Sequence, residues 1–408
     1  STLVLPYAKA SVARELPESA QTLFYALFLL CFTGLLGVTI TGDAFNVFVF
    51  LEISSLSTYV LIAQGAHRDK RALTASYNYL IMGTIGATFF VIGVGFLYMA
   101  TGTLNMADLA DRIENQYDSR TVRAAFAFIM VGMGLKVAIF PLHLWLPNAY
   151  TYAPSAITSF LAATATKVAI YVMLRFLFSV FQPGFLAEVP TLDLILYPFA
   201  ILAMFAASYT AILQRDLKRM LAYSSIGQVG YMLLGIALLS ESGLMATMIH
   251  LFNHGITKAA LFMGVGVYVL NGGGSFYHNL RGRGKTMPWT SAAMVVAGLS
   301  LIGVPGTAGF LSKWLLVEAT LEQGLWPIAL LIVASSLLAV IYVWKLIETL
   351  YLAQPAEGLQ DQNVPLMMMI PLWVMALACI YFGFDTDITL SAARSAAEGL
   401  LAGSAGMR

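Results

Sequence analysis

Long uninterrupted apolar runs recur along this 408-residue chain, and they constrain its fold more than any other feature. A run of roughly 20 apolar residues is long enough to cross a bilayer as a helix. Only 11% of the residues are charged, less than half of the roughly 25% that is typical of soluble domains. The sequence therefore predicts an all-α polytopic membrane protein. About eleven spans are expected, at 20–41, 43–64, 72–101, 121–140, 154–181, 191–213, 218–239, 243–271, 288–323, 325–350 and 364–383.

Two of these spans contain helix-breaking residues at membrane depth. The span at 288–323 is too long for one straight helix and has GVPGTAG (303–309) at its centre. Pro141 has no N–H, so it deprives the carbonyl of Val137 of its helical partner, one residue from Lys136. Irregular backbone inside a membrane is tolerated only within protein or around a wet cavity. We therefore expect two broken helices in the interior of the bundle.

The charges of the loops indicate an orientation. The segments HRDKR (67–71), RDLKR (215–219) and HNLRGRGK (278–285) are basic, and counting the spans between them places all three on one side. The longest loop on the opposite side, at 105–120, is mainly acidic. Because short cytoplasmic loops carry an excess of Lys and Arg, the basic loops are predicted to be cytoplasmic.

The termini and the overall charge complete this outline. Residues 1–19 are interpreted as a polar cytoplasmic connector, and the segment after Phe384 as a short polar tail on the other side. The net charge is +1, with no basic patch large enough to suggest nucleic-acid binding. Cys31 and Cys379 each lie in an apolar run and are interpreted as small core residues.

Ionisable residues inside the apolar spans are the strongest functional signal. On insertion scales a charged residue at the bilayer centre costs about 2.5–3.5 kcal/mol, so such residues usually line proton or ion pathways. The alternative is a structural role, in which each charge is satisfied by a neighbouring helix or reaches the membrane surface. The residues concerned are Glu52, Lys136, Lys167, His250, His254, Lys258 and Lys313.

Glu52 lies in FLEISSLSTY, where no turn or linker accounts for an acid. One interpretation is a carboxylate satisfied by Ser54, Ser55 or another helix. The other is one half of an ion pair that sets the proton affinity of its partner. Asp43 is different, because TGD before an apolar helix is typical of an N-cap.

The lysines of the first half are interpreted by their position in the spans. Lys136 lies about four residues before the break at Pro141, and Lys167 lies in mid-span without an acid nearby in sequence. Both are candidates for a buried relay, with extension to the membrane surface as the alternative. Arg175, nearer the end of its span, is expected to reach that surface.

The second half contains a row of titratable groups. His250, His254 and Lys258 are spaced i, i+4, i+8, which places them on one helical face. A zinc-protease site is excluded because Leu251 stands where HExxH requires Glu. A proton-carrying row fits better, although one histidine could serve only in the core. Lys313 follows the break at Pro305, where half-helix ends supply partial charges at mid-membrane.

No cofactor is predicted. RGRGKT (281–286) resembles a phosphate loop, but that motif requires Gly where Asn279 stands. The sequence contains no dinucleotide fingerprint after a predicted strand and no ligand pattern for flavin, haem or an iron–sulfur cluster.

Five segments resemble the family of proton-translocating antiporter-like subunits. This family is shared by multisubunit Mrp-type Na⁺/H⁺ antiporters, respiratory complex I and membrane-bound hydrogenases, and the Mrp-type D subunits are the nearest resemblance. The resemblance covers nearly the whole chain. It is carried by GDAFNVFVFLE (42–52), GLKVAIFPLHLWLPNAY (134–150), LAATATKVAIYVMLR (161–175), HLFNHGITKAALF (250–262) and GVPGTAGFLSKW (303–314).

The resemblance implies a fold of two inverted five-helix repeats and fourteen spans in full-length members. The halves would occupy 20–181 and 191–350, followed by a last helix and tail at 364–408. The first three helices of the family would be missing before residues 1–19, which implies a trimmed or incomplete chain.

The resemblance also implies roles for the buried residues. Glu52 matches the key glutamate, Lys136 the lysine of the first broken helix, and Lys313 the terminal lysine. Lys167 would be the linking lysine, and the central residues would be His250, His254 and Lys258. The hypothesis is a proton relay in a Na⁺/H⁺ antiporter that contains other membrane subunits. The alternatives are the pumping arm of a redox complex, whose cofactors would lie in partner chains, and a structural scaffold.

Overall fold

The structure is a computed structural model that describes residues 2–189, 191–272, 274–354 and 364–402. Its helices account for most of these residues, and short 3₁₀ or π-helical turns extend some of them. The helices are α1 Val4–Glu15, α2 Glu18–Ile40, α3 Ala44–Ala63, α4 Arg71–Thr101, α5 Met106–Ile113, α6 Arg120–Val137, α7 Trp145–Tyr152, α8 Ser155–Leu174, α9 Gln182–Ala187, α10 Thr191–Leu213, α11 Leu217–Ala237, α12 Glu241–Leu270, α13 Tyr277–Leu280, α14 Arg283–Thr286, α15 Pro288–Ile302, α16 Ala308–Glu322, α17 Trp326–Ile347, α18 Leu366–Phe384 and α19 Asp387–Leu401.

Eight of the eleven predicted membrane spans are confirmed. In the described ranges, eight helices are long and apolar enough to cross a membrane by length and composition alone: α2, α3, α4, α8, α10, α11, α17 and α18. The three other predicted spans correspond to α6, to α12 and to α15 with α16. Those helices carry Lys136, the two histidines with Lys258, and Lys313, so the weaker apolar signal accompanies the buried ionisable groups.

Both predicted helix breaks are present. The helix α15 ends at Ile302 and α16 begins at Ala308, and between them Gly303 and Gly306 have φ values of 90° and 82°. These left-handed values are readily adopted by glycine because it has no Cβ. The helix α6 ends at Val137, and Ala138 turns the chain with φ 62°. The polypeptide then crosses the proline-containing segment before α7 begins.

The helices α2–α8 and α10–α17, which we call the first and the second repeat, share local features, and their relation as inverted copies stays a prediction. In the first, Asp43 caps α3 by accepting from Asn46 N and forms an isolated β-bridge with Asn105. In the second, Asp216 caps α11 by accepting from Arg219 N and forms a β-bridge with Phe276. The predicted Asp43 cap is therefore confirmed, and its counterpart lies at the other end of the bundle.

The last helices of the two repeats, α8 and α17, also share local features. A π-helical turn follows α8 at Arg175–Val180, and another follows α17 at Glu348–Leu352. Arg175 donates to Thr41 O, just beyond α2, while Lys345 donates to Ile212 O at the end of α10. Each cation thus binds carbonyls at the C-terminus of the first helix of its own repeat, where the helix dipole favours positive charge. Arg175, expected to reach the membrane surface, makes this backbone contact.

Two of the predicted basic loops lie at the same end of the bundle. Residues 68, 69 and 71 line one cleft with residues 213–216, 218 and 219, together with 274–276, which immediately precede the third basic segment. We call this the basic end. The side of the membrane that it faces remains a prediction.

Two segments contain more structure than the sequence predicted. Residues 1–19, interpreted as a polar connector, include α1, which buries Tyr7, Val12 and Glu15 on one face. Tyr7 OH donates to Met263 O of α12 at 2.9 Å, so α1 is packed into the bundle. The predicted polar tail forms α19, which packs against α12. The remainder of that tail, 403–408, lies outside the described residues.

Candidate functional site

Glu52 and Lys136 form an ion pair in the interior of the first repeat. Lys136 Nζ donates to Glu52 Oε1 at 2.9 Å and to Ser55 Oγ at 2.8 Å. The exposed fractions of the two side chains are 6% for Lys136 and 18% for Glu52. Because Ser55 lies three residues after Glu52 on α3, both acceptors lie on one helical face. The two groups are 84 positions apart in sequence, so only the fold brings them together.

The break after α6 places Lys136 in the last turn of that half-helix. Trp145 Nε1, at the start of α7, donates to Leu135 O at 3.0 Å. This indole compensates a carbonyl next to the lysine at the interrupted end of the helix. Opening of the helix near Lys136 was predicted, whereas the partnership with Trp145 was not.

A small cavity lies beside the ion pair. Its volume is about 30 Å³, and its lining includes Lys136, Ser55 and Thr58 together with Ala165 and Val168 of α8. A cavity of at least about 10–15 Å³ with several polar partners can hold a water molecule. The space therefore suits a water between Lys136 and the part of α8 that carries Lys167.

Lys167 is 5% exposed, and its ammonium donates to Ala162 O in its own helix. The helix α8 packs against α12, and a Cβ at Gly255 of α12 would lie 3.2 Å from Ala163 O. This close approach brings the charge of Lys167 within electrostatic reach of His250 and His254.

His250 and His254 form a buried stack in α12. Their rings are nearly parallel, at 3°, with centroids 6.0 Å apart. His250 Nδ1 shares a hydrogen bond of 2.8 Å with Ser312 Oγ of α16. His250 Nε2 and both ring nitrogens of His254 have no hydrogen-bond partner. Buried polar atoms normally have one, so these three nitrogens remain available for hydrogen bonds inside the bundle.

Lys258 turns from this row towards α11. It is fully buried, and Nζ donates to Leu221 O at 2.7 Å and to Ser224 Oγ at 2.5 Å. The ammonium is thus anchored to a neighbouring helix. Its position four residues after His254 matches the predicted row, but its hydrogen bonds are made to α11 and not to that histidine.

Lys313 binds the end of the other half-helix. Its Nζ donates to Leu301 O at 3.1 Å and to Ile302 O at 2.7 Å, the last residues of α15. These carbonyls carry the partial negative charge of the helix end. The ammonium also lies 5.0 Å from the ring centroid of Tyr231.

Tyr231 and Ser312 are site residues that the sequence did not indicate. The Tyr231 ring lies 5.7 Å from that of His250 and also faces Lys313, while its hydroxyl donates to Ser335 Oγ at 3.0 Å. Ser312 directly precedes Lys313 and binds His250. The position of Ser312 next to Lys313, a predicted relay residue, is a weak signal that could have indicated this serine. The sequence around Tyr231 contains nothing that distinguishes it from a tyrosine of the core.

The site thus forms two directly bonded groups. One contains Glu52, Ser55 and Lys136, and the other joins His250 to Ser312, next to Lys313. Among the described residues, no direct hydrogen bond joins Lys136 to Lys167 or Lys167 to His254, so transfer between these groups requires water or side-chain movement.

Comparison with known proteins places the chain in a family. Residues 41–339 match the family described as the transmembrane region of NADH:quinone oxidoreductase and Mrp antiporters. The chain is 41% identical to the N subunit of the NADH-quinone oxidoreductase of Desulforudis audaxviator, over 95% of this chain and 78% of that protein. It is 31% identical to the D subunit of the Na⁺/H⁺ antiporter of Alkalihalophilus pseudofirmus, over 91% and 74%.

Solved structures resemble the fold closely. A chain in the structure of the Mrp complex from Dietzia sp. DQ12-45-1b matches with a TM-score of 0.86 and 26% identity, covering 98% of this chain and 81% of that one. A chain of the membrane-bound sulfane sulfur reductase, an archaeal respiratory complex, matches with a TM-score of 0.82 and 34% identity, covering 93% and 76%. The chain belongs to the NADH:quinone oxidoreductase/Mrp antiporter transmembrane family.

Proposed function

We propose that this chain is the proton-translocating membrane subunit of a multisubunit monovalent cation/proton antiporter that exchanges Na⁺ for H⁺. It would work with other membrane subunits in the cell membrane, with the basic end in the cytoplasm. The similarity to the D subunit of a Na⁺/H⁺ antiporter and the likeness to an Mrp complex support this assignment. The observation that carries it is the buried Glu52–Lys136 pair at 2.9 Å.

The pair can act as a switch because both members can exchange a proton. At an effective dielectric constant near 20, opposite charges at the observed 2.9 Å attract by about 6 kcal/mol. Even half of that energy would change the proton affinity of the lysine by about a hundredfold. When Glu52 is neutralised or moves away, the ammonium of Lys136 loses its counter-charge in a buried site and releases its proton.

The two broken helices give their lysines different partners, and this difference suggests a direction of control. Lys136 is held by a carboxylate whose charge can change, whereas Lys313 is held by backbone carbonyls whose partial charge is fixed. The proton would leave Lys136 and pass Lys167 to the central group of His254, His250 and Lys258. Lys313 would be the terminal group that releases it.

A redox-driven proton pump is the second candidate. The relative with 41% identity is named as a subunit of an NADH-quinone oxidoreductase, and the sulfane sulfur reductase is a respiratory complex. The same relay would serve such a pump. Purifying the native assembly and identifying its subunits separates the two functions, because a cytosolic iron–sulfur or flavin subunit would indicate the pump.

The proposed function is tested by measuring Na⁺-dependent proton movement in vesicles that contain the whole assembly. We expect Lys136→Met to abolish this movement while the assembly remains intact. Lys345→Met is the control for the loss of a lysine from a helix, because Lys345 binds backbone carbonyls, at 2.9 and 2.8 Å, where Lys136 binds a carboxylate. Lys345 is outside the proposed relay, so the control should transport normally. Unchanged transport in Lys136→Met would contradict the proposal.

A further inference from the structure

A polar cleft opens at the basic end of the bundle and leads to a buried carboxylate that the relay above does not use. The cleft has a volume of about 490 Å³ and is lined by Arg68, Arg71, Lys218 and Arg219, with Glu15 among its lining residues. The side chain of Glu15 is only 3% exposed. An acid with so little exposure, next to an open polar cleft, can receive a proton from water there.

The contacts of Glu15 attach it to the start of α8. Both carboxylate oxygens accept from Ser155 N, at 3.1 and 3.3 Å, and Oε1 accepts from Ser11 Oγ at 2.6 Å. Arg68 Nη1 lies 3.5 Å away, and the ammonium of Lys218, which donates to Ala153 O, acts electrostatically on the same site. These donors occupy the oxygens, which argues against a metal-cation site.

The other acids of the cleft bind groups within or beside the loops, whereas Glu15 binds the start of α8. Asp69 is hydrogen-bonded by Arg71, which lowers the pKa of the Asp69 carboxyl. Asp216 accepts from Arg219 N at 3.0 Å and from Ser275 Oγ at 2.6 Å. Glu15 is therefore the acid of this cleft that continues into the protein interior.

A line of polar groups runs from Glu15 along one face of α8. Ser155, Ser159 and Ala162 are spaced i, i+4, i+7, which places them on the same side of the helix. Ser159 Oγ donates to Ser155 O at 2.9 Å, and the ammonium of Lys167 donates to Ala162 O. Lys167, a member of the relay, thus binds the same stretch of α8, and water or side-chain movement must join its ammonium to Ser159.

The hydroxyl of Ser155 is the most informative member of this line. Ser155 is fully buried, and its Oγ has no hydrogen-bond partner. A buried hydroxyl without a partner costs stability, and serine at this position is therefore unexplained by packing alone. The presence of a serine would be accounted for if its hydroxyl accepts one proton while giving up another.

We propose that Glu15, Ser155 and Ser159 form the proton-uptake route from the basic end to Lys167. Water in the cleft gives a proton to the carboxylate of Glu15, which passes it to Ser155 Oγ as that hydroxyl gives its own proton towards Ser159. Ser159 repeats the exchange, and the neutral amine of Lys167 takes the last proton and becomes an ammonium. Glu15 returns to the carboxylate, and one positive charge has moved inwards. The route rests on the proposed function and specifies where its protons are taken up.

The test separates proton uptake by Glu15 from its role in capping α8. Glu15→Cys is made in the full chain within its assembly, and both native cysteines are buried. One sample is modified with a carboxyethyl methanethiosulfonate, which restores a carboxylate, and another with the sulfonatoethyl reagent, which restores an anion that binds no proton. Both adducts carry an anion on the same linker, so they differ in whether that anion can bind a proton. We expect transport to fall by about tenfold or more in the unmodified variant and to recover only with the carboxylate adduct.

Other outcomes of the cysteine experiment contradict the route. Equal recovery with both adducts would assign Glu15 a purely electrostatic or capping role. Recovery with neither adduct, wild-type transport in the unmodified variant, or failure of the introduced thiol to react from the basic end would each overturn the proposal. Lys70→Cys is the sidedness control, because Lys70 lies in the same basic segment and does not line the cleft. If the wild-type assembly moves no protons, the proposed function itself fails, and the labelling still reports whether the cleft reaches Glu15.

Ser155→Ala provides an independent test that does not disturb the cap. It retains the backbone N–H that binds Glu15 and removes only the unpartnered hydroxyl, so the variant should be at least as stable as the wild type and yet transport less. Ser291→Ala is the matched control: its buried hydroxyl shares a 2.7 Å hydrogen bond with Tyr268 OH. That control should lose stability and retain transport. Normal transport in Ser155→Ala would contradict the route.

Discussion

Removing the charge of Glu52 should lower both the stability of the protein and its transport, because it leaves the ammonium of Lys136 without a counter-charge. In Glu52→Gln the ammonium of Lys136 retains Ser55 Oγ at 2.8 Å but loses its counter-charge at 2.9 Å. The attraction lost is about 6 kcal/mol at a dielectric constant of roughly 20. Leaving one charge of a buried pair uncompensated typically costs about 3–5 kcal/mol of stability. Release of the proton from Lys136 would reduce that cost.

The double variant Glu52→Gln/Lys136→Met should recover part of this loss. With both charges removed, no unpaired ammonium remains, and replacement of a buried ion pair by neutral groups is often neutral or stabilising. We expect the double variant to be about 2–3 kcal/mol more stable than the sum of the single effects, which lies in the upper part of the roughly 0.5–3 kcal/mol range of coupling between residues in contact. Transport should nevertheless be absent from both single variants and from the double variant.

Two measurements check this prediction. The thermal stability of the purified assembly ranks the wild type, the two single variants and the double variant. Quenching of a pH-sensitive dye in everted vesicles measures proton movement by each of them. Glu241→Gln, at the exposed first turn of α12, is the control for loss of an acid. Additive destabilisation in the double variant, or wild-type transport in Glu52→Gln, would refute the reasoning from the pair.

Three further substitutions probe local features. Asp43→Ala removes the cap on Asn46 N and should cost about 1 kcal/mol of stability with little loss of transport per assembled complex, as measured in vesicles of matched protein content. Gly309→Ala would place a Cβ against the carbonyl oxygen of Ser300; we expect a loss of about 1–3 kcal/mol, visible as a lower melting temperature. Ser55→Ala removes one of two acceptors of the buried ammonium and should cost about 1 kcal/mol, with a partial decrease in transport rate.

The spans and breaks could be predicted because their causes are local. Hydropathy is a property of each residue, the Asp43 cap depends on a residue three positions away, and GVPGTAG carries its own backbone constraints. The helix within residues 1–19, which were interpreted as a polar connector, could also have been predicted from a local signal. Lys9 and Arg14 suggested a polar connector, but Val4, Tyr7, Ser11 and Glu15 recur at helical spacing and are buried on one face of α1. Periodicity was therefore the better guide there.

Partners of the buried charges could not be predicted because they are not local. Lys136 meets Glu52 from 84 positions away, His250 meets Ser312 from 62, and Lys258 meets Leu221 from 37. Sequence position indicates that such a residue is buried, but the packing of separate helices decides what satisfies it. The carboxylate that binds Lys136 and the carbonyls that bind Lys313 could therefore be distinguished only in the structure.

The same physics explains why the cleft at the basic end was not predicted. Lys218 belongs to a basic loop in sequence, and the loop rule treats its charge as solvated. In the fold it is 5% exposed, because its ammonium reaches the carbonyl of Ala153 next to the start of α8. Glu15 is buried there by a helix that composition alone did not reveal. Whether a charge near the end of a span is structural or functional therefore depends on what packs over it. The same types of residue occur in both cases, so the sequence alone does not separate them.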